Sequence, residues 1–146
     1  MLKRLLLLLI FISLNIFAGD IQIKDAYVRA VPPNLQNSAS FMKIINLSDK
    51  TIYLQSASSN VAKNVELHEH TMSNGMMKMQ QVKDIKIPAK SSVELKPGGL
   101  HVMLIGLNKK LIPDEVVTSL TLNFSNNTSI TIQNVPIKTV MMGMKH

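Results

Sequence analysis

From Ile21 onward, apolar and polar residues alternate in runs of four to nine, and turn-forming residues separate the runs at short intervals. The alternation predicts strands over 21–29, 40–47, 51–56, 64–72, 76–82, 92–96, 101–107, 116–124 and 129–135, because a period of two places every second side chain on one face. Pro32-Pro33-Asn34, Asn74-Gly75 and Pro97-Gly98-Gly99 punctuate this series. No apolar stripe runs at helical spacing for the length of a helix. Many short strands with Gly, Pro, Asn and Ser between them predict an all-β fold, a Greek-key β-sandwich or barrel. A chain of 146 residues has room for one such domain.

The ends depart from this pattern. Met1-Leu2-Lys3-Arg4 precedes an apolar run from Leu5 to Phe17, and Ala18-Gly19-Asp20 follows. A positive start, a short apolar centre and small residues at the exit are the parts of a secretory signal peptide, predicted over 1–18 with export to the periplasm. The apolar run is shorter than the roughly 20 residues a membrane-spanning helix needs, so no stable membrane association is expected after cleavage. The β-sandwich domain is assigned to 19–138. Residues 139–146 form a tail rich in Met and His, with Met141, Met142, Met144 and His146 within its last six positions.

Composition narrows the chemistry. There is no cysteine, which excludes disulfides, thiolate ligands, a blue-copper centre and a lipid anchor carried on Cys. Lys3 and Arg4 supply two of the 16 basic residues, leaving 14 against 9 acidic ones, or +5, for the rest of the chain. The lysines are scattered singly, as on a solvated surface, and no nucleic-acid partner is expected. Ten methionines in a chain without Trp are more informative. Apart from Met1 and Met42 they lie in three places: Met72 to Met79, Met103, and the tail. Methionines that merely fill core gaps should be dispersed among Leu and Ile.

The hairpin signal Asn74-Gly75 sets the geometry of the first group. A two-residue type I′ loop pairs Ser73 with Met76, Met72 with Met77 and His70 with Met79. Directly paired residues share a face, so His68, His70, Met72, Met77 and Met79 gather on one side, opposite Val65 and Leu67. Met76 is turned away from the histidines, where a gap-filling role in the core competes with a role at the site. Glu66 and Glu69 read as solvated strand charges. On the strand after Gly98-Gly99, His101 and Met103 are two apart and also share a face. Thioethers are soft, neutral donors that favour Cu(I) and do not suit Mg(II) or Ca(II). Two imidazoles and two thioethers make a four-ligand Cu(I) site that needs no thiol and so survives an oxidising compartment.

His68, ten residues, Met79, twenty-one residues and then His101-Val102-Met103 resembles the motif of the periplasmic copper chaperones of the PCuAC type. The resemblance extends through Ala26-Tyr27-Val28-Arg29-Ala30, Val65 to Glu69, Gly75 to Met79 and Leu95 to Gly99. It implies a cupredoxin-like or immunoglobulin-like sandwich with Cu(I) held by His68, Met79, His101 and Met103. It also implies a monomer that delivers copper to cytochrome c oxidase assembly, handing it to an oxidase subunit or working beside a thioredoxin-like copper-insertion protein. His70, Met72, Met77 and the tail residues Met141, Met142, Met144 and His146 are auxiliary candidates, and a second copper, as Cu(II), would use His70 and His146. Rival readings are a copper-buffering or tolerance protein and a metal-free envelope interaction domain. Enzymatic chemistry is not expected, because four protein ligands leave no open coordination position and no other catalytic arrangement is present.

Overall fold

In the computed structural model, residues 19–140 are described, and the signal-like segment 1–18 and tail residues 141–146 lie outside them. Ten strands follow one another: β1 (Ile21–Arg29), β2 (Asn37–Asn46), β3 (Ile52–Ser59), β4 (Ala62–Ser73), β5 (Met76–Gln81), β6 (Ile85–Ile87), β7 (Ser91–Leu95), β8 (His101–Leu107), β9 (Val116–Phe124) and β10 (Ser129–Lys138). Among the described residues there is no helix. The hydrogen-bonded order is β5-β4-β8-β2-β1-β10-β9-β3-β6, with β7 added to β2. This open sheet folds over into two layers, β5-β4-β8-β2-β1 and β10-β9-β3-β6. They are linked where the ends of β1 and β10 run parallel at Val28↔Ile137 and Arg29↔Lys138. Most connections cross between the layers, as the Greek-key expectation requires.

Alternation builds the core. Leu67 of β4, Val102 and Leu104 of β8, Met42 and Ile44 of β2 and Val28 of β1 face inward, against Leu54 and Ala57 of β3, Leu120 and Leu122 of β9 and Val135 and Ile137 of β10. Fully burying one such aliphatic side chain is worth about 1.5–3 kcal/mol, so the register of each strand is strongly held.

Three features escape the sequence pattern. β2 begins at Asn37 rather than Ser40, although Asn37-Ser38-Ala39 has the composition of a turn. Ser38 and Ser40 are buried because their hydroxyls donate to the carbonyls of Arg29 (2.6 Å) and Tyr27 (2.9 Å) on β1. β6 is too short to show a period, yet Ile85 and Ile87 are buried against β3. β10 continues through Pro136, which pairs with Val116 on β9.

Asn46 closes the end of β2. It is fully buried, and its amide donates to the carbonyls of Lys50 (2.7 Å), Ile87 (3.1 Å) and Pro88 (3.2 Å). Its carbonyl oxygen accepts from the backbone N–H (3.0 Å) and hydroxyl (2.7 Å) of Ser48. Replacing it strands the buried Ile87 carbonyl and the part-buried carbonyls of Lys50 and Pro88, and an unmade buried bond costs about 1–3 kcal/mol. Asn46→Ala is expected to lower stability by about 3 kcal/mol, read as a shifted urea midpoint with an unchanged slope.

Candidate metal centre

The donors lie on the outer face of the first layer, opposite the core. β4 pairs with β8 through Leu67↔Val102 and His68↔His101, and with β5 through His70↔Met79, Met72↔Met77 and Ser73↔Met76. Asn74 (φ 52°) and Gly75 (φ 74°) both take the left-handed backbone that a type I′ turn requires, and the expected hairpin register is the one found. His101 opens β8 directly after the Lys96–Leu100 turn, where Gly98 (φ 83°) reverses the chain. Gly99 N–H donates to Lys96 O (3.0 Å), and Lys96 N–H donates to Leu100 O (3.0 Å).

The carbonyl of Gly99 does two things. It accepts the His70 backbone N–H at 3.3 Å, which ties the turn to β4, and it accepts from His101 Nδ1 at 3.0 Å. A carbonyl can only accept, so the His101 proton sits on Nδ1 and the lone pair on Nε2. That lone pair faces Met79 Sδ at 3.2 Å. Two electron-pair donors with no proton between them are held in contact, His101 only 2% exposed and Met79 46% exposed. Phe41 backs His101, ring centroids 6.3 Å apart, and Tyr27 stacks behind Phe41 at 5.3 Å.

A pocket of about 170 Å³ opens at this point, lined by His70, Met79, His101 and Met103 with Arg29, Ala39, Phe41, Pro97 and Gly98. Three of the four principal candidates therefore meet there. His68 stands beside it, its ring 5.7 Å from His101, while the ring of His70 is nearer at 5.0 Å. The auxiliary candidate His70 thus lines the pocket itself. His68 Nε2 donates to Glu66 Oε2 at 2.7 Å, leaving Nδ1 as its unprotonated nitrogen. The Nδ1 atoms of both His68 and His70 are buried without a hydrogen-bond partner. Buried polar atoms are nearly always paired, and three imidazoles with unsatisfied nitrogens or a thioether contact in one place are what a metal site leaves open. Among the described residues no group of three or more His, Cys, Asp and Glu is placed to hold a metal ion, so a donor set here draws on the thioethers.

Other candidates fall as follows. Met72 and Met77 lie on the donor face further out along the hairpin, both exposed. Met76 is exposed at 65%, so a gap-filling role in the core is ruled out. Met141, Met142, Met144 and His146 lie outside the described residues. Glu69 is a solvated charge, bonded by exposed Gln80 at 2.8 Å. Glu66 is not: its carboxylate sets the tautomer of His68, and its spacing of two from His68 on one strand was the available signal. Arg29 and Phe41 are brought to the pocket by β1 and β2; Arg29 lay in a stretch that carried the family resemblance but with no role assigned, and Phe41 carried no signal for the site.

The fold is shared with known proteins. The copper-bound PCuAC domain from PmoF2 has the same fold, with a TM-score of 0.70 over 84% of this chain and 95% of that one, at 23% identity. CuI-DR1885 from Deinococcus radiodurans is similar at a TM-score of 0.66 and 33% identity, over 82% of this chain and 78% of its own. The fold is that of a PCuAC-type protein, all-β and cupredoxin-like. The chain belongs to the LpqE-like family, described as "Putative lipoprotein LpqE-like", whose model matches residues 21–137. A relative in Leifsonia xyli subsp. xyli, "Putative lipoprotein Lxx21020", is 34% identical over 122 residues, 83% of this chain and 71% of the relative.

The His101 pKa is lowered from its usual value, chiefly because burial penalises the imidazolium. The bond to Gly99 opposes this, and the neighbouring His70, His68 and Arg29 add to the lowering. The unfolded chain therefore takes up a proton near pH 6.5 that the folded protein resists. Metal-free protein is expected to keep this contribution to stability above about pH 6.5 and to lose it as the pH falls below. Urea unfolding from pH 8 to pH 5 checks it, with His101→Gln giving a flatter pH dependence.

Proposed function

We propose that this chain is an exported copper chaperone that binds one Cu(I) through His68, Met79, His101 and Met103 and gives it up by ligand exchange. The observation that carries the reading is the His101 Nε2 to Met79 Sδ contact, in which an imidazole lone pair and a thioether are held together by the Gly99 carbonyl behind them. Neutral nitrogen and sulfur donors suit a soft monovalent ion, and neither Mg(II) nor Ca(II) takes thioethers. The 33%-identical DR1885 structure is a Cu(I) form, and the PmoF2 domain of the same fold is copper-bound. The signal-like residues 1–18 and the lipoprotein descriptions of its relatives support export to the periplasm.

The chain's own residues divide the work. Gly99 fixes the His101 tautomer, so no proton has to leave before copper binds. Glu66 does the same for His68, the carboxylate–histidine arrangement that orients many metal ligands. Met79, half in solvent on an edge hairpin, is the ligand an acceptor reaches first. Weak neutral donors can be replaced stepwise by a partner's thiolates or imidazoles, which favours release over storage. Delivery to cytochrome c oxidase assembly, to an oxidase subunit or through a thioredoxin-like insertion protein, rests on the resemblance of the motif to PCuAC-type chaperones. A second copper, as Cu(II) through His70 and His146, stands on the same footing.

Titration with Cu(I) against a competing chelator is expected to show one tight equivalent, lost in His101→Ala with Met103→Ala and kept when residues 139–146 are removed. Binding unaffected by the double substitution would refute the site. Presented with a dithiol acceptor, the loaded protein should pass copper on; retention would make it a buffer instead. Glu66→Gln is expected to weaken Cu(I) binding by about tenfold in the same competition assay, with folding unchanged by circular dichroism.

A further inference from the structure

The outer end of the β4–β5 hairpin carries two thioethers that the proposed four-ligand site does not use. Met72 and Met77 are direct cross-strand partners, one step beyond the His70↔Met79 pair. Such partners have Cα atoms about 4.5–5.5 Å apart, close enough for two flexible thioethers to reach one ion. Residues two apart on a strand share a face, and the next pair along lies about 7 Å away. Met72, Met77, His70, Met79 and His101 therefore form a line of donors that runs from the hairpin tip into the pocket.

Packing does not account for the outer pair. Met72 is 66% and Met77 59% exposed, on a hairpin whose second strand is the edge of the sheet. Long apolar side chains left in water at a sheet edge contribute no burial and invite association. A second observation points inward along the line. His70 lines the pocket beside Met79, its ring lies 5.0 Å from His101, and its Nδ1 is buried without a partner. An unsatisfied imidazole nitrogen therefore lies one same-face pair inward from the exposed sulfurs, at the pocket.

We propose that Met72 and Met77 form a second, weaker site for a soft monovalent cation, which captures Cu(I) from solution or from a donor and passes it inward through His70 and Met79. This rests on the chaperone reading above. Two neutral thioethers bind Cu(I) without charge and give no foothold to Mg(II) or Ca(II). Each move exchanges one neutral ligand for another, with no proton or electron transferred. The pair raises the local concentration of ion at the mouth of the pocket, and affinity increases inward as imidazoles join.

The test uses the full chain with ¹³C-labelled methionine methyl groups, titrated with Ag(I) as a redox-inert soft cation in chloride-free buffer. The first equivalent is expected to move the Met79 and Met103 methyls, and further Ag(I) to move Met72 and Met77 together. Met76 is the internal control, because it is as exposed at 65% but lies on the opposite face of the hairpin. In Met72→Leu with Met77→Leu the second response is expected to vanish, the first to persist, and loading of the inner site to slow by about tenfold as the local supply is lost. Met72 and Met77 responding no more than Met76, or loading at an unchanged rate in the double variant, would overturn the capture site while leaving the chaperone reading intact. No response at Met79 and Met103 would overturn the chaperone site, and the capture pair with it, since the relay would have no destination.

Discussion

A strand sends successive side chains to opposite faces, so β4 can lie between β5 and β8 in only two senses. In the observed sense Leu67 enters the core beside Val102 while His68, His70 and Met72 stand on the outer face. A slip of one residue would bury three polar or functional side chains and expose Leu67. The apolar burial on one face therefore holds the candidate donors on the other. The type I′ turn at Asn74-Gly75 repeats the instruction locally, because a two-residue loop permits only one pairing of β4 with β5. Stability and chemistry here are two faces of one register.

Placing donors on the face away from the core has a consequence for exchange. A site inside the sandwich would hold a metal tightly and slowly, whereas this one has a buried half and an open half. His101 is buried, backed by Phe41 and bonded to Gly99, and its geometry is set before a ligand arrives. Met79 and the hairpin methionines supply the open half on a sheet edge. In the proposed function, preorganised nitrogen behind adaptable sulfur combines selectivity for a soft ion with a route out, since unbranched thioethers reorient at little cost.

Polar groups are rarely left to chance in this structure. Ser38, Ser40 and Asn46 are buried, and each has hydrogen-bond partners. Against that background the partnerless Nδ1 atoms of His68 and His70 stand out. They occur beside the one place among the described residues where an imidazole lone pair meets a thioether, which is why that place reads as a site and not as a packing defect.

The sequence by itself determined the all-β class, nine of the ten strands in outline, the hairpin register and the face on which His68, His70, Met72, Met77 and Met79 lie. These follow from a period of two and one turn dipeptide, both local properties. The His-x-Met of β8 was legible for the same reason, and the spacing of His68, Met79, His101 and Met103 carried the family resemblance. Only the tertiary structure decided that β8 docks against β4 so that His101 meets Met79, that His70 stands nearer to His101 than His68 does, and that Glu66, Arg29, Phe41 and the Gly99 carbonyl complete the surroundings. β6, the start of β2 and the passage of β10 through Pro136 were also hidden, because each depends on partners far away in the chain. Period and turn chemistry act between neighbours, whereas the pairing of strands 20 or more residues apart is selected by the burial of the whole core.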